Sequence, residues 1–116
     1  IVYAGTTKGL FKTSNKGESW SEIQGNFTKP YISSLVIDPS NTSHLYVGTS
    51  EGIFESKDGG KVWIPKQEGL GNLNIRVLVM DPLNFQTLYC GTNGGGLHKS
   101  GDGGNSWIPI PLTRVP

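Results

Sequence analysis

A five-residue block, Val2-Tyr3-Ala4-Gly5-Thr6, returns as Leu45-Tyr46-Val47-Gly48-Thr49 and again as Leu88-Tyr89-Cys90-Gly91-Thr92, about 43 residues apart each time. A fixed period of this kind constrains the fold more than any local propensity. Each unit must adopt the same supersecondary structure and bury its apolar face on a neighbour. A second block in the same register, Ile32 to Pro39 (ISSLVIDP), returns as Ile75 to Pro82 (IRVLVMDP). A third runs from Thr13 to Trp20, from Ser56 to Trp63 and from Ser100 to Trp107. The last spacing is one residue longer, and Gly94-Gly95-Gly96 absorbs the insertion in a turn, where an extra residue costs little.

Each full unit reads as four short strands: A over Ile32 to Ile37, B over Leu45 to Thr49, C over Ile53 to Ser56, and D starting near Val62 and Trp63. Asp38-Pro39 and Asp81-Pro82 end strand A, because proline cannot donate to a continuing ladder and aspartate accepts from a nearby turn amide. Seventeen glycines and seven prolines suit many turns and no long helix. Four strands in about 43 residues is the size of a propeller blade. The expectation is an all-β chain, a β-propeller segment of four-stranded antiparallel blades. Residues 1–29 form an incomplete blade (strands B, C and D), 30–73 a blade and 74–116 a blade.

A closed propeller takes about four to eight blades, so self-association or the remaining blades of a larger chain are needed for closure. The chain starts at Ile1 and not at Met, which fits a processed or excised boundary. Pro109, Pro111 and Pro116 make the tail after Trp107 a poor source of the strand A that the first unit lacks.

Ten basic and nine acidic residues leave a formal net charge of +1 and no general pull toward nucleic acid or anionic membranes. Lys8, Lys12 and Lys16 read as a solvated hairpin. No stretch approaches the roughly 18 apolar residues of a membrane span, and no signal-peptide pattern is visible. The single cysteine, Cys90, cannot close an intrachain disulfide; it aligns with Ala4 and Val47 and reads as a small buried apolar residue.

The third block resembles the Asp-box family, also called bacterial neuraminidase repeats, whose pattern is roughly Ser/Thr-x-Asp-x-Gly-x-x-Trp between strands C and D. Ser56, Asp58, Gly60 and Trp63 fit it, as do Ser100, Asp102, Gly104 and Trp107; Thr13, Asn15, Gly17 and Trp20 fit with Thr for Ser and Asn for Asp. The chemistry is that of a turn: a short side-chain oxygen holds amides, glycine permits positive φ, and tryptophan fills space against the next sheet. A calcium site is the weaker reading, because such a cation takes about six to eight oxygens and each turn offers one carboxylate. The resemblance implies a fold shared by sialidases, xyloglucan-degrading hydrolases, sortilin-type receptors and photosystem II assembly factors, and a secreted or periplasmic location. It names a fold and not a chemistry.

Nothing here assembles an active site. Sialidases use three arginines, and this chain has Arg76 and Arg114. A glycosidase needs two carboxyl groups about 5 to 10 Å apart; Asp38 and Asp81 are the candidates, but their identical place before proline marks them as turn residues. Glu51 and Glu68 lie in loops, and the sequence alone gives neither a second carboxyl group for this chemistry. His98 stands where the other units carry Phe11 and Phe54, and reads as a packed histidine of a terminal or partly exposed blade. His44, in the turn before strand B, has no companion ligand in the sequence. No P-loop, dinucleotide fingerprint, Ser-His-Asp order or Cys pair appears. Asn26-Phe27-Thr28 and Asn41-Thr42-Ser43 fit the glycosylation triplet.

The reading is therefore a non-catalytic scaffold that binds a protein or a glycan, with no catalytic residue, metal or cofactor of its own. The resemblance places the Asp-box turns opposite the usual active face, which leaves the B-to-C and D-to-A loops: Lys8, Glu51 and Asn93, with Tyr31, Asn72, Asn74 and Arg76. Tyrosine and arginine suit interfaces by joining apolar area to directed polar contacts. The rival is a piece of a glycoside hydrolase whose acids lie elsewhere.

Overall fold

A computed structural model describes residues 1–23 and 31–111; the triplet at Asn26, Arg114 and Pro116 lie outside the described residues. Every described element is a strand. The first sheet has the order β1 (Val2–Thr6), β2 (Gly9–Thr13), β3 (Ser21–Ile23). The second runs β4 (Ile32–Ile37), β5 (Leu45–Thr49), β6 (Gly52–Ser56), β7 (Ile64–Pro65). The third runs β8 (Ile75–Asp81), β9 (Asn84–Thr92), β10 (Gly96–Ser100), β11 (Ile108–Ile110). All pairings are antiparallel between sequence neighbours, as short turns dictate. The β4/β5 ladder shifts register between Ile32 and Ser34, and the β8/β9 ladder shifts at the matching place, between Ile75 and Val77.

Strand D differs from the sequence expectation. It starts at Ile64, after Trp63, because Asp58 still holds the Val62 amide in the preceding turn. It spans two residues in the second sheet, and Pro65 and Pro109 are tolerated because β7 and β11 are edge strands.

Alternation along each strand sends one set of side chains to each neighbouring sheet. Leu10, Ile32, Leu45, Val47, Phe54 and Trp63 form the core between the first and second sheets. Tyr46, Ile53, Ile75, Leu78, Leu88, Cys90 and Trp107 form the core between the second and third. The tryptophans show the rule most clearly. Trp63 and Trp107 are 2% and 3% exposed, whereas Trp20, which has no described sheet before it, is 45% exposed.

The sheets approach closely at glycine. A Cβ on Gly48 would stand 2.7 Å from Cγ2 of Ile75, and one on Gly5 would stand 2.6 Å from Cγ2 of Ile32. The repeated Tyr/Gly block is thus a contact motif: its glycine admits the first isoleucine of the next sheet's leading strand.

Candidate functional site

Strand alternation puts the A-to-B and C-to-D turns at one end of the stack and the B-to-C and D-to-A loops at the other. At the first end, the three repeated turns are built alike. The hydroxyls of Thr13, Ser56 and Ser100 donate to Oδ1 of Asn15, Asp58 and Asp102 at 2.7, 2.8 and 2.7 Å. The same hydroxyls accept from the amides of Gly17, Gly60 and Gly104 at 3.0, 2.8 and 2.8 Å, and these glycines take φ of 89°, 96° and 91°. Oδ1 then accepts from the amides of Ser19, Val62 and Ser106, each at 3.0 Å.

Asn15 does the work of an aspartate here, its Nδ2 donating to Ser19 Oγ, where Ser106 Oγ instead donates to Asp102 Oδ2. The Ser106 and Ser100 hydroxyls and the Ser106 amide hold the Asp102 carboxyl down at about 2, and the Val62 amide with the Ser56 hydroxyl lowers that of Asp58. Among the described residues no group of three or more His, Cys, Asp or Glu is arranged to hold a metal.

At the opposite end, Thr6 and Thr49 close the B-to-C turns by donating to the carbonyls of Gly9 and Gly52, while accepting from the amides of Lys8 and Glu51. The loop from β7 to β8 then ties itself to the turn between β9 and β10. The Asn93 amide donates to the Asn74 carbonyl at 2.9 Å, Asn72 Nδ2 donates to the Asn93 carbonyl at 2.9 Å, and Asn72 Oδ1 accepts from the Asn74 amide at 2.9 Å. Asn72, Asn74 and Asn93 therefore come together as one hydrogen-bonded corner. Tyr31, Lys8 and Arg76 are exposed and make no side-chain hydrogen bond among the described residues. No described contact joins Tyr31 or Lys8 to the asparagine corner.

A polar cluster that the sequence reading did not assemble lies at the turn end. His44 has companions after all: Nδ1 is 2.9 Å from Asp38 Oδ2 and Nε2 is 2.5 Å from Glu55 Oε2. Lys66 Nζ is 3.6 Å from the other Glu55 oxygen and donates to Asn105 Oδ1 at 2.7 Å, which links the second sheet to the third. Tyr46 spans the same junction, its hydroxyl donating to the Gly103 carbonyl at 2.8 Å. A cleft of about 120 Å³ opens among Tyr46, Glu55, Lys57, Lys66, Gln86 and Asn105.

Burial, with Glu55 nearby, pushes the Tyr46 phenol up, and the Ser40 hydroxyl followed by His44 lowers the Asp38 carboxyl against the effect of burial. Both imidazole nitrogens and both Glu55 oxygens are engaged, so the cluster works as a clamp and presents no free acid or base. A signal did exist: Glu55 stands where the other units have Lys12 and Lys99, and His44 where they have Ile1 and Thr87. Two departures in one unit face each other across the β5/β6 pair.

Asp38 and Asp81 behave as turn residues. Asp38 Oδ1 accepts from the Ser40 amide and hydroxyl, and Asp81 Oδ1 accepts from the Leu83 amide. His98 is not at an exposed edge: it is 6% exposed, and its Nδ1 has no partner. Cys90 is buried opposite His98 in the β9/β10 ladder, and burial pushes its thiol up to about 11, which suits an inert core residue.

No protein-family model matches the sequence, and no curated protein matches it significantly. Solved structures do. The Niastella koreensis GH74 enzyme is 28% identical with a TM-score of 0.72, over 95% of this chain and 20% of that one. The GH74 xyloglucanase from Xanthomonas campestris is 20% identical with a TM-score of 0.66, over 97% of this chain and 21% of that one. YCF48 bound to D1 peptide is 18% identical with a TM-score of 0.63, over 91% of this chain and 36% of that one. The chain spans about a fifth to a third of the length of these structures. With no helix and three antiparallel sheets among the described residues, it is an all-β segment of the β-propeller fold.

Proposed function

We propose that the chain is a run of Asp-box blades, divided at 1–29, 30–73 and 74–116, that serves as a non-catalytic binding scaffold for a protein or glycan partner. The observation that carries this reading is the division of labour between the two ends. At the turn end, Asp38, Asp58, Asp81 and Asp102 are occupied by turn amides and hydroxyls, and Glu55 by His44 and Lys66. At the loop end, the Asn72, Asn74 and Asn93 corner is held by hydrogen bonds, and Tyr31, Arg76, Lys8 and Glu51 lie on the same end. A hydrogen-bonded polar corner loses little conformational freedom on binding, and an aromatic and a guanidinium on the same end offer anchoring groups.

The peptide-bound YCF48 structure supports a protein partner. The higher identity to the Niastella koreensis GH74 enzyme favours the second reading, a blade set that contributes sugar subsites in a hydrolase whose acids lie outside these residues. Titration with xyloglucan oligosaccharides and with a peptide library separates the two. Tyr31→Ala and Arg76→Ala are expected to weaken the ligand so found by about tenfold or more, roughly 1.4 kcal/mol. Unchanged affinity in both variants refutes the loop-end assignment.

A further inference from the structure

The turn between β9 and β10 departs from its two counterparts in a way that exposes a reactive pair. In the first two units the threonine that ends strand B caps the amide two residues on: Thr6 Oγ1 accepts from the Lys8 amide and Thr49 Oγ1 from the Glu51 amide, both at 3.0 Å. Thr92 keeps the companion bond, donating to the Gly96 carbonyl at 3.2 Å as Thr6 and Thr49 donate to Gly9 and Gly52. With the extra residue in this turn the cap is lost. Among the described residues the Gly94 amide donates to nothing, and the exposed Asn93 side chain makes no hydrogen bond.

Asn93 is also the one asparagine of the chain that glycine follows. A glycine nitrogen is not shielded by a neighbouring Cβ. Around Gly94 there is room for a new ring, since a Cβ built there would meet nothing within 4 Å. A third group bears on the same peptide. Asn72 Nδ2 donates to the Asn93 carbonyl at 2.9 Å, and its Oδ1 is held by the Asn74 amide. When the Gly94 nitrogen loses its proton, the negative charge collects on that carbonyl oxygen, and a donor already aimed at it stabilises the anion.

We propose that Asn93 is a site of self-modification, at which the Gly94 nitrogen closes onto the Asn93 carboxamide with Asn72 as the positioning residue. The Gly94 nitrogen gives up its proton and bonds to Asn93 Cγ; the bond from Cγ to Nδ2 breaks, and ammonia leaves carrying that proton. Water then opens the five-membered imide. Breaking the bond from Cγ to the Gly94 nitrogen gives aspartate. Breaking the original peptide bond gives isoaspartate, in which the chain runs through the former side chain. Either product adds a negative charge to the loop-end corner, and in isoaspartate that charge lies on the carboxylate that Asn72 already faces. The inference is independent of the partner proposed for this end.

The test keeps the 116-residue protein folded at mildly alkaline pH and follows each asparagine by peptide mapping, with mass-spectrometric fragmentation that separates isoaspartate from aspartate. Asn93 is expected to convert faster than any other asparagine and to yield both products. Conversion no faster than elsewhere overturns the site, and aspartate without isoaspartate means direct hydrolysis and overturns the ring closure. Asn72→Asp keeps an acceptor for the Asn74 amide and loses the donor; it is expected to slow conversion about threefold or more, the worth of one hydrogen bond. Asn72→Ala is expected to slow it as well, thermal denaturation having first established that each variant is folded at the incubation temperature. A residue that merely restrained the turn would act the other way, because its loss would free the turn to cyclise. An equal or faster rate in either variant therefore overturns the role of Asn72.

Discussion

Gly48→Ala isolates the contact that sets the spacing between the second and third sheets. Gly48 lies in β5 without the positive φ that would demand glycine, so on backbone entropy alone alanine would stabilise the strand by about 0.5 to 1 kcal/mol. Sterics oppose this. The new methyl would stand 2.7 Å from Cγ2 and 3.4 Å from Cβ of Ile75, a side chain that is 1% exposed at the head of β8 and has no room to retreat. Overpacking of this kind costs about 1 to 3 kcal/mol, so the net effect is destabilising by up to about 2.5 kcal/mol, and by about 1 kcal/mol at the middle of the two ranges. For a domain of this size that lowers Tm by several degrees, at about 4 to 8 °C per kcal/mol.

Leucine at position 75 lacks the branched methyl that meets residue 48. Ile75→Leu alone should therefore cost under about 1.5 kcal/mol, and the double variant G48A/I75L should be more stable than the sum of the single changes by about 1 kcal/mol. Gly71, whose Cβ would meet nothing within 4 Å, serves as the control and should tolerate alanine. Thermal and urea denaturation of the four variants decide it. A neutral or stabilising Gly48→Ala, or strict additivity with Ile75→Leu, refutes the argument that glycine is there to admit isoleucine.

The tryptophans should separate by a large margin: Trp63→Ala and Trp107→Ala should each cost about 3 to 5 kcal/mol and Trp20→Ala under about 1 kcal/mol, with iodide quenching only the Trp20 fluorescence of the folded chain. Glu55→Ala leaves His44 and Lys66 without their shared carboxylate and should cost about 3 kcal/mol; a loss below about 0.5 kcal/mol, by denaturant titration, would show that the clamp contributes nothing. Asp102 carries a folded carboxyl at about 2 against an ordinary 3.8, so its contribution is present above the unfolded value and is lost as pH falls through the folded one. Asp102→Asn, which copies Asn15 of the first turn, should fold and should show a flatter loss of stability between about pH 4 and 2, as measured by acid titration of the circular dichroism; an unchanged acid limb would refute the role of the turn hydrogen bonds.

Period and turn chemistry were legible in the sequence because the bonds behind them are local. The hydroxyl of Ser56 reaches Asp58 and Gly60, and the carboxylate of Asp58 reaches Val62, all within one turn, so residue type and spacing define the geometry. The same locality made Asp38 and Asp81 readable as turn residues and Cys90 as a core residue. Trp20 shows where this stops. Its turn matches those of Trp63 and Trp107, yet its exposure depends on whether another sheet stands in front of it, which no local pattern encodes.

The approach of Ile75 to Gly48 and the link from Glu55 through Lys66 to Asn105 are likewise relations between sheets. His44 and Glu55 each departed visibly from their aligned positions, but only the antiparallel pairing of β5 with β6 brought them face to face. His98 was conspicuous as a replacement for phenylalanine, and the stacking of the third sheet on the second decided that it would be buried. The sequence determined what each unit is, since a unit is held by contacts a few residues long. The tertiary structure decided what each unit touches, since those contacts span about a full repeat and depend on the neighbour that packs there.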